Sequence, residues 1–238
     1  MSDAEAPSLP LADTQVGDTI TFGNYGNQAM EWRVLAIEDG KALVITRDII
    51  DQRVYNEEKA QTTWEQCTLR QWLNADFYNS AFSDLERSYI IRSNVQNNDN
   101  PDYGTTGGAD TEDYVFLLSI EEVYTYFDSE LNVYRNTYED RIAVQNMSPE
   151  LIEDAAQRID ENPYTGDYYT YSEALESLEL RNGEAEWWLL RSPGDDAGHV
   201  AGVDPGGFGG RDGGNIDPGG YTHAINGIRP AMWLKLTS

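Results

Sequence analysis

The sequence predicts an α+β domain because strand and helix signals alternate along one chain. Residues 32–37 and 41–46 are apolar and β-branched and are separated by Asp39-Gly40, a pattern typical of a β-hairpin. A second pair of apolar runs near the C-terminus is typical of buried strands. Capped amphipathic segments lie between these runs. We therefore expect helices packed on a small twisted antiparallel sheet.

The length and composition predict one domain with a sizeable core. The chain has 238 residues, of which 39% are hydrophobic and 11% aromatic. Residues 1–16 are rich in Ala, Pro, Ser and Asp and are interpreted as a flexible leader, with neither the basic start nor the apolar run of a signal peptide. Residues 17–238 are expected to form the domain, beginning with a short strand at 19–23.

The first helix signal lies at residues 68–74. Thr68 is a suitable N-cap, and Leu69, Trp72 and Leu73 fall on one helix face, so Trp72 is expected to anchor the core.

The next strand-and-helix pair is predicted at residues 114–123. Residues 114–118, Tyr-Val-Phe-Leu-Leu, form a continuous apolar run that indicates a strand. Ser119 and Glu122 then form a capping box at the start of a helix. The preceding stretch, residues 94–113, is rich in Asn, Asp and Gly without a period and is expected to be a long surface loop.

Residues 128–182 are Glu- and Tyr-rich and are interpreted as a helical insertion. Ser148 followed by Pro149 indicates the start of a helix. The tyrosines at its far end are interpreted as packing residues with hydrated hydroxyls, and no site role is assigned to them: Tyr164, Tyr168, Tyr169, Tyr171.

A Gly- and Asp-rich tract, residues 194–226, is enclosed by the two C-terminal apolar runs. We expect turns and loops here, with only short strand pieces, because Gly adopts backbone angles that side chains forbid. Between Pro193 and Pro230 the chain contains no Lys, Glu, Gln, Met or Trp. These are the five residue types that cannot be reached from an Asn codon ending in a pyrimidine by changing its first two bases. A second explanation for their absence is that loops in general contain few residues of these types.

The two flanking runs carry a family resemblance. WWLLRSPG at 187–194 and GIRPAMWLKL at 227–236 resemble the C-terminal signature of the variable proteins of diversity-generating retroelements. They are also similar to a broad family of bacterial domains that share the C-type-lectin-like fold of those proteins. The resemblance continues upstream through GDTITFGNY, EWRVLAIEDGKALVITRDII, TWEQCTLRQWLN and YVFLLSIEEV, whereas residues 128–182 match nothing in it.

The resemblance implies both a fold and a function. It implies a C-type-lectin-like domain that displays the tract as a ligand-binding surface, diversified by adenine-directed mutagenesis of Asn codons. The expected ligand is a protein or glycan on another cell or particle, and the expected location is a bacterial cell surface, a secreted state or a phage particle. The candidate ligand-binding residues are Asp195, Asp196, His199, Asp204, Phe208, Arg211, Asp212, Asn215, Asp217, Tyr221 and His223.

The flanking runs are expected to form the structural bracket of the tract. Its residues are Trp187, Trp188, Arg191, Arg229 and Trp233. We expect Trp188 and Trp233 to be core strand residues. Arg229 has too few apolar neighbours in the sequence to be a core residue by itself. We therefore expect it to hold loop carbonyls or a carboxylate in place by hydrogen bonds.

Charge and cysteine content exclude several functions. A formal net charge of −26 repels nucleic-acid phosphates, so no nucleic-acid partner is expected. The sequence contains no membrane-spanning run, so direct membrane insertion is not expected. Formylglycine-generating oxidases share the broad fold, but they hold a metal with paired cysteines and this chain has only Cys67. We expect Cys67 to be a core thiol, and we assign no catalytic residue, metal ligand or cofactor.

A conventional carbohydrate- or calcium-binding module is the second hypothesis. Carboxylate and carbonyl oxygens are the ligands that Ca²⁺ takes in proteins. The tract offers Asp195, Asp196, Asp204, Asp212 and Asp217 for such a site. Aspartates in turns also cap their own backbone, which is the alternative role for these residues.

Overall fold

The computed structural model describes residues 11–127, 138–164, 170–206 and 214–236. Its strands are β1 Thr19–Tyr25, β2 Gln28–Glu38, β3 Lys41–Thr46, β4 Asp51–Val54, β5 Ile90–Ile91, β6 Ser93–Val95, β7 Thr111–Asp113, β8 Ala143–Val144, β9 Ala185–Glu186, β10 Trp188–Pro193, β11 His199–Asp204, β12 Asn215–Tyr221, β13 Ile225–Ile228 and β14 Ala231–Lys235. Its helices are α1 Thr68–Trp72, α2 Tyr78–Ala81, α3 Asp84–Tyr89, α4 Ile120–Tyr126, α5 Pro149–Glu161 and α6 Tyr171–Arg181, with a π-helical turn at Leu73–Phe77 and a 3₁₀ turn at Glu139–Arg141. The protein is α+β, as the sequence predicts.

The first five-stranded sheet has the order β1-β2-β3-β14-β5 and is antiparallel throughout. The predicted hairpin is confirmed: β2 and β3 are joined by Asp39 and Gly40, whose φ angles are +48° and +74°. The C-terminal strand β14 lies between β3 and β5. The C-terminal strand thus pairs with β3, which places the residues after the tract against the N-terminal hairpin.

The second five-stranded sheet has the order β12-β11-β10-β13-β4 and carries the tract. Every residue of β10 is buried, which confirms the strand predicted before the tract. Strands β11 and β12 lie within the tract and β13 begins in it, so the tract is more regular than the expected loops. The structure also has two five-stranded sheets, whereas one small sheet was predicted. The antiparallel strands curl into a half barrel.

Helices α5 and α6 have a small core of their own. Leu151, Ala155 and Leu178 are buried between them, within a cluster separate from the main core. The helix start predicted at Ser148 is confirmed, since its hydroxyl accepts the Leu151 N–H and Pro149 is the first helical residue. None of the helices in the described ranges has the length and apolar character needed to cross a membrane.

Three local predictions differ from the structure. Cys67, not Thr68, caps α1, because the Thr68 hydroxyl accepts the Glu57 N–H instead. Residues 115–118 are buried and Tyr114 is partly buried, but the run is not a strand, since Phe116 alone makes a bridge, to Ala231. Leu11, within the expected flexible leader, is 4% exposed and packs in the main core.

Trp72 is not the core anchor that was predicted, because its side chain is only half-buried. Its indole is partly exposed and packs beneath the Arg53 guanidinium, which lies 3.6 Å from the ring centroid. Leu69 and Leu73 fill the core beside it. The capping box of Ser119 is present as predicted.

Candidate functional site

Trp187 forms the floor under the tract's two main strands. A Cβ added at Gly202 in β11 would lie 1.9 Å from the Trp187 ring, and one at Gly220 in β12 would lie 2.7 Å from it. Both contacts are shorter than side chains tolerate, so glycine is required where the indole crosses these strands. The β11–β12 hairpin is therefore seated on Trp187, and these two glycines belong to the scaffold.

One end of this hairpin brings predicted ligand-binding residues together. The register pairs His199 with Tyr221, and their ring centroids are 4.7 Å apart. Tyr221 ends β12, and His223 follows in the turn after buried Thr222, with the ring centroids of Tyr221 and His223 5.4 Å apart. Tyr221 is 57% exposed.

Tyr164 extends this group from a distant part of the chain. Its ring centroid lies 4.7 Å from that of His223, and its hydroxyl accepts the Lys59 N–H at 3.2 Å. We call Tyr164, His223, Tyr221 and His199 the aromatic row. Burial, followed by the charges of Lys59 and His199, lowers the pKa of His223, which favours its neutral imidazole. Because Tyr164 was interpreted as a packing residue, sequence analysis missed its place in the row.

Two predicted aspartates border the aromatic row. His199 Nδ1 lies 2.5 Å from Asp195 Oδ1 and 3.6 Å from Asp196 Oδ2. The potential ligand atoms of these three residues lie within 4.8 Å of one another, so a divalent cation would find one nitrogen and two carboxylates here. An imidazole is a ligand for transition metals, whereas Ca²⁺ prefers oxygen.

Three described aspartates of the tract cap their own backbone. Asp196, Asp204 and Asp217 each accept, through Oδ1, the N–H of the glycine two residues later, at 2.7, 2.9 and 2.8 Å. This is the Asx-turn role that the sequence offered as the alternative to calcium binding.

The structure does not bring the remaining predicted residues to the end of the hairpin that carries the aromatic row. Asp204 and Asn215 are paired at the far end of the hairpin. The six-residue length of β11 places them about 17 Å from His199. Asp217 lies between the two ends on β12. Phe208, Arg211 and Asp212 lie outside the described residues.

The bracket residue Trp188 is core, as predicted. It is fully buried, and its Nε1 donates to the Arg141 carbonyl at 3.0 Å. Arg229 lies against the same ring, with its guanidinium carbon 4.7 Å from the centroid. Arg229 donates to the carbonyls of Thr46 and Arg47 at 3.0 Å, which confirms the expectation that it holds loop carbonyls. Burial lowers the pKa of the Arg229 guanidinium to about 9.

The prediction that Trp233 is a core residue is wrong. Met232 and Leu234 point into the core, so alternation along β14 directs Trp233 to the outer face, where it is half-buried. The Lys41 ammonium lies 4.3 Å from its ring centroid, a cation–π contact across the sheet.

Cys67 has the properties of a structural thiol, as expected. It is fully buried, and its sulfur accepts the Arg70 N–H at 3.4 Å as the cap of α1. Burial raises the pKa of the thiol to about 12, so the reactive thiolate is disfavoured at neutral pH. This environment does not activate a nucleophile.

Comparison with known proteins identifies a family but no characterised relative. Residues 39–236 match the family described as a domain of unknown function, DUF6273. None of the curated proteins matches the chain significantly. None of the solved structures does so either. The match covers both five-stranded sheets apart from β1 and β2, and more than half of the chain, so this protein belongs to the DUF6273 family.

Proposed function

We propose that this chain is a binding protein, not an enzyme, that displays a hypervariable surface on a C-type-lectin-like scaffold. Its ligand is a protein or glycan on another cell or particle, and a retroelement diversifies the surface. The observation that carries this proposal is the aromatic row, which stands on the outer side of a hairpin whose inner side is fixed on Trp187.

The chemistry of the aromatic row suits macromolecular recognition. Tyrosine and histidine rings offer contact area at a low cost in conformational entropy, and each carries a polar group for hydrogen bonding. Asp195 and Asp196 lie beside the rings and are exposed, so they favour a ligand with cationic or hydroxyl groups at that edge.

The contrast between buried and exposed positions of the hairpin supports diversification. Val200, Ala201 and Val203 are fully buried, and Gly202 has no room for a side chain, so the middle of β11 is fixed on both faces. Exposed side chains at the hairpin end, such as Tyr221, contribute little to this packing, so they can change without unfolding the hairpin. A tract of this kind combines a fixed framework with replaceable contacts.

Sequencing of this region in several isolates tests the proposal. We expect substitutions at Asp195, His199, Tyr221 and His223 and none at Gly202, because a Cβ there would collide with Trp187. We also expect a neighbouring reverse transcriptase gene and a near-copy of the tract in which adenines replace other bases. An unchanged tract in all isolates, together with no such copy, would contradict diversification.

Cation binding is the second candidate function, favoured by the proximity of Asp195, Asp196 and His199. We expect the melting temperature to be equal in excess chelator and in millimolar Ca²⁺. Asp196 already uses one oxygen for the Gly198 N–H, and two carboxylates fall short of the six to eight oxygens that Ca²⁺ takes. A ligand that binds only the folded state must raise the melting temperature.

Differential scanning fluorimetry measures this, with Asp195→Asn as the matched control. A Ca²⁺-dependent rise in the native protein that Asp195→Asn abolishes would favour the calcium-binding alternative.

A further inference from the structure

A polar groove of about 250 Å³ lies away from the aromatic row and shares no residue with it. The chain segment that leaves β6 forms one wall, the first turn of α4 forms another, and Trp233 of β14 forms a third. Sequence analysis assigned no role to residues 94–113, and Trp233 was expected to be buried. The groove is therefore a feature that only the assembled structure shows.

Three amide side chains lie in a row along the first wall. Asn94, Gln96 and Asn98 are exposed and line the groove, whereas Val95 and Asn97 between them are buried. This alternation is that of an extended strand, in which every second side chain shares a face. Each amide offers two N–H donors and a carbonyl acceptor.

Arg191 holds the middle of this row in place. Its Nη2 donates to the Gln96 carbonyl at 3.0 Å, and its Nη1 donates to the Leu117 carbonyl at 2.7 Å. The guanidinium also makes a two-pronged ion pair with Glu122, whose other role is to cap α4 at Ser119. With a side chain only 3% exposed, Arg191 fixes the amide wall relative to α4 before any ligand binds.

Trp233 adds an aromatic surface to this polar site. Because Lys41 holds the indole by a cation–π contact, the ring forms a fixed wall of the groove. Glu121, which accepts an N–H of Asn98 at 2.5 Å, places a carboxylate at the rim. That carboxylate and the net charge of −26 disfavour an anionic ligand.

We propose that this groove binds a neutral cyclic polyol, such as one sugar ring of a glycan. The C–H face of such a ring packs against an indole, and its neighbouring hydroxyls both donate to and accept from amide side chains. A few converging polar groups beside an apolar wall are the usual composition of a small-ligand site. This inference does not rest on the proposed function, because the aromatic row and its hairpin take no part.

The test is a titration of the full chain with D-glucose, D-galactose, D-mannose and N-acetyl-D-glucosamine, each followed by the NMR signal of the Trp233 indole N–H. We expect a saturable shift with at least one of these sugars. Gln96→Ala should weaken binding about tenfold or more by removing one amide, and it leaves the buried contacts of Arg191 to the backbone in place. Leu180→Ala, an exposed change on α6 outside the groove, should leave the affinity unchanged.

Two outcomes would overturn the inference. One is the absence of a saturable shift with all four sugars. The other is binding that Gln96→Ala leaves unchanged, since the amide row would then play no part. D-glucuronate is the charge control, and tighter binding of this anion than of D-glucose would also reject a neutral-polyol site. Loss of binding in Tyr221→Ala would place the sugar on the hairpin and contradict the assignment to the groove.

Discussion

Replacing Trp188 by alanine is expected to lower the free energy of unfolding by about 3–5 kcal/mol, the usual cost of truncating a buried tryptophan. The side chain is fully buried, so its removal leaves a cavity. The Arg141 carbonyl loses its indole donor, and Arg229 loses the ring against which its guanidinium lies. A loss of this size is a large part of the stability of an ordinary domain. Denaturant melts measure it as a shift of the midpoint at constant slope.

Tyr221→Ala is the matched control for this experiment. Tyr221 is also aromatic, but it is 57% exposed at the hairpin end, so its loss should change stability by no more than about 0.5 kcal/mol. Trp233→Ala should fall between the two, because a half-buried ring removes less apolar area from water. If Tyr221→Ala destabilises as much as Trp188→Ala, the aromatic row is core and its assignment as a binding surface is wrong.

Replacing Asp51 by alanine should cost about 3 kcal/mol or more, because it breaks a buried ion-pair network. The carboxylate is fully buried and accepts from the Tyr25 hydroxyl at 2.8 Å and from Arg53 Nε at 2.9 Å. It also accepts from Arg158, which joins α5 to β4. Burial and the Asp51 carboxylate raise the pKa of Tyr25, which keeps its hydroxyl protonated as a donor. Without Asp51, two guanidinium groups and this hydroxyl lose their shared acceptor.

Denaturant melts measure the stability loss, and hydrogen exchange of the α5 amides shows whether the helix loosens first. Asp154→Ala is the control, because it removes an exposed carboxylate from the same helix and should have little effect. Equal melts for the two variants would mean that the Asp51 network does not tie α5 to the sheet.

Signals between near neighbours in the sequence gave correct local structure. Asp39-Gly40 specifies its hairpin turn, Ser119 and Glu122 form their capping box, and Ser148 begins α5. Each is decided by backbone angles or hydrogen bonds within four residues, so no knowledge of packing is needed.

The candidate site was predictable only in part. The family resemblance implied His199, Tyr221 and His223 as binding residues, and the register of β11 and β12 then places His199 and Tyr221 opposite each other. Asp204 belongs to the same tract and is close to His199 in sequence. It lies at the far end of the hairpin because the extended strand β11 runs between these two residues. Tyr164 joins the row from a distant segment, and no local pattern signals that contact.

The sequence by itself determined the α+β class, the Asp39-Gly40 turn, the caps at Ser119 and Ser148, and the two strands that enclose the tract. Only the tertiary structure decided that Trp233 lines a groove, that Gly202 is fixed by Trp187, and that Arg191 supports Gln96. The physical reason is that periodicity identifies the two faces of a strand but not which one another element covers. Burial and close approach depend on segments that are distant in sequence, and they exist only once those segments pack together.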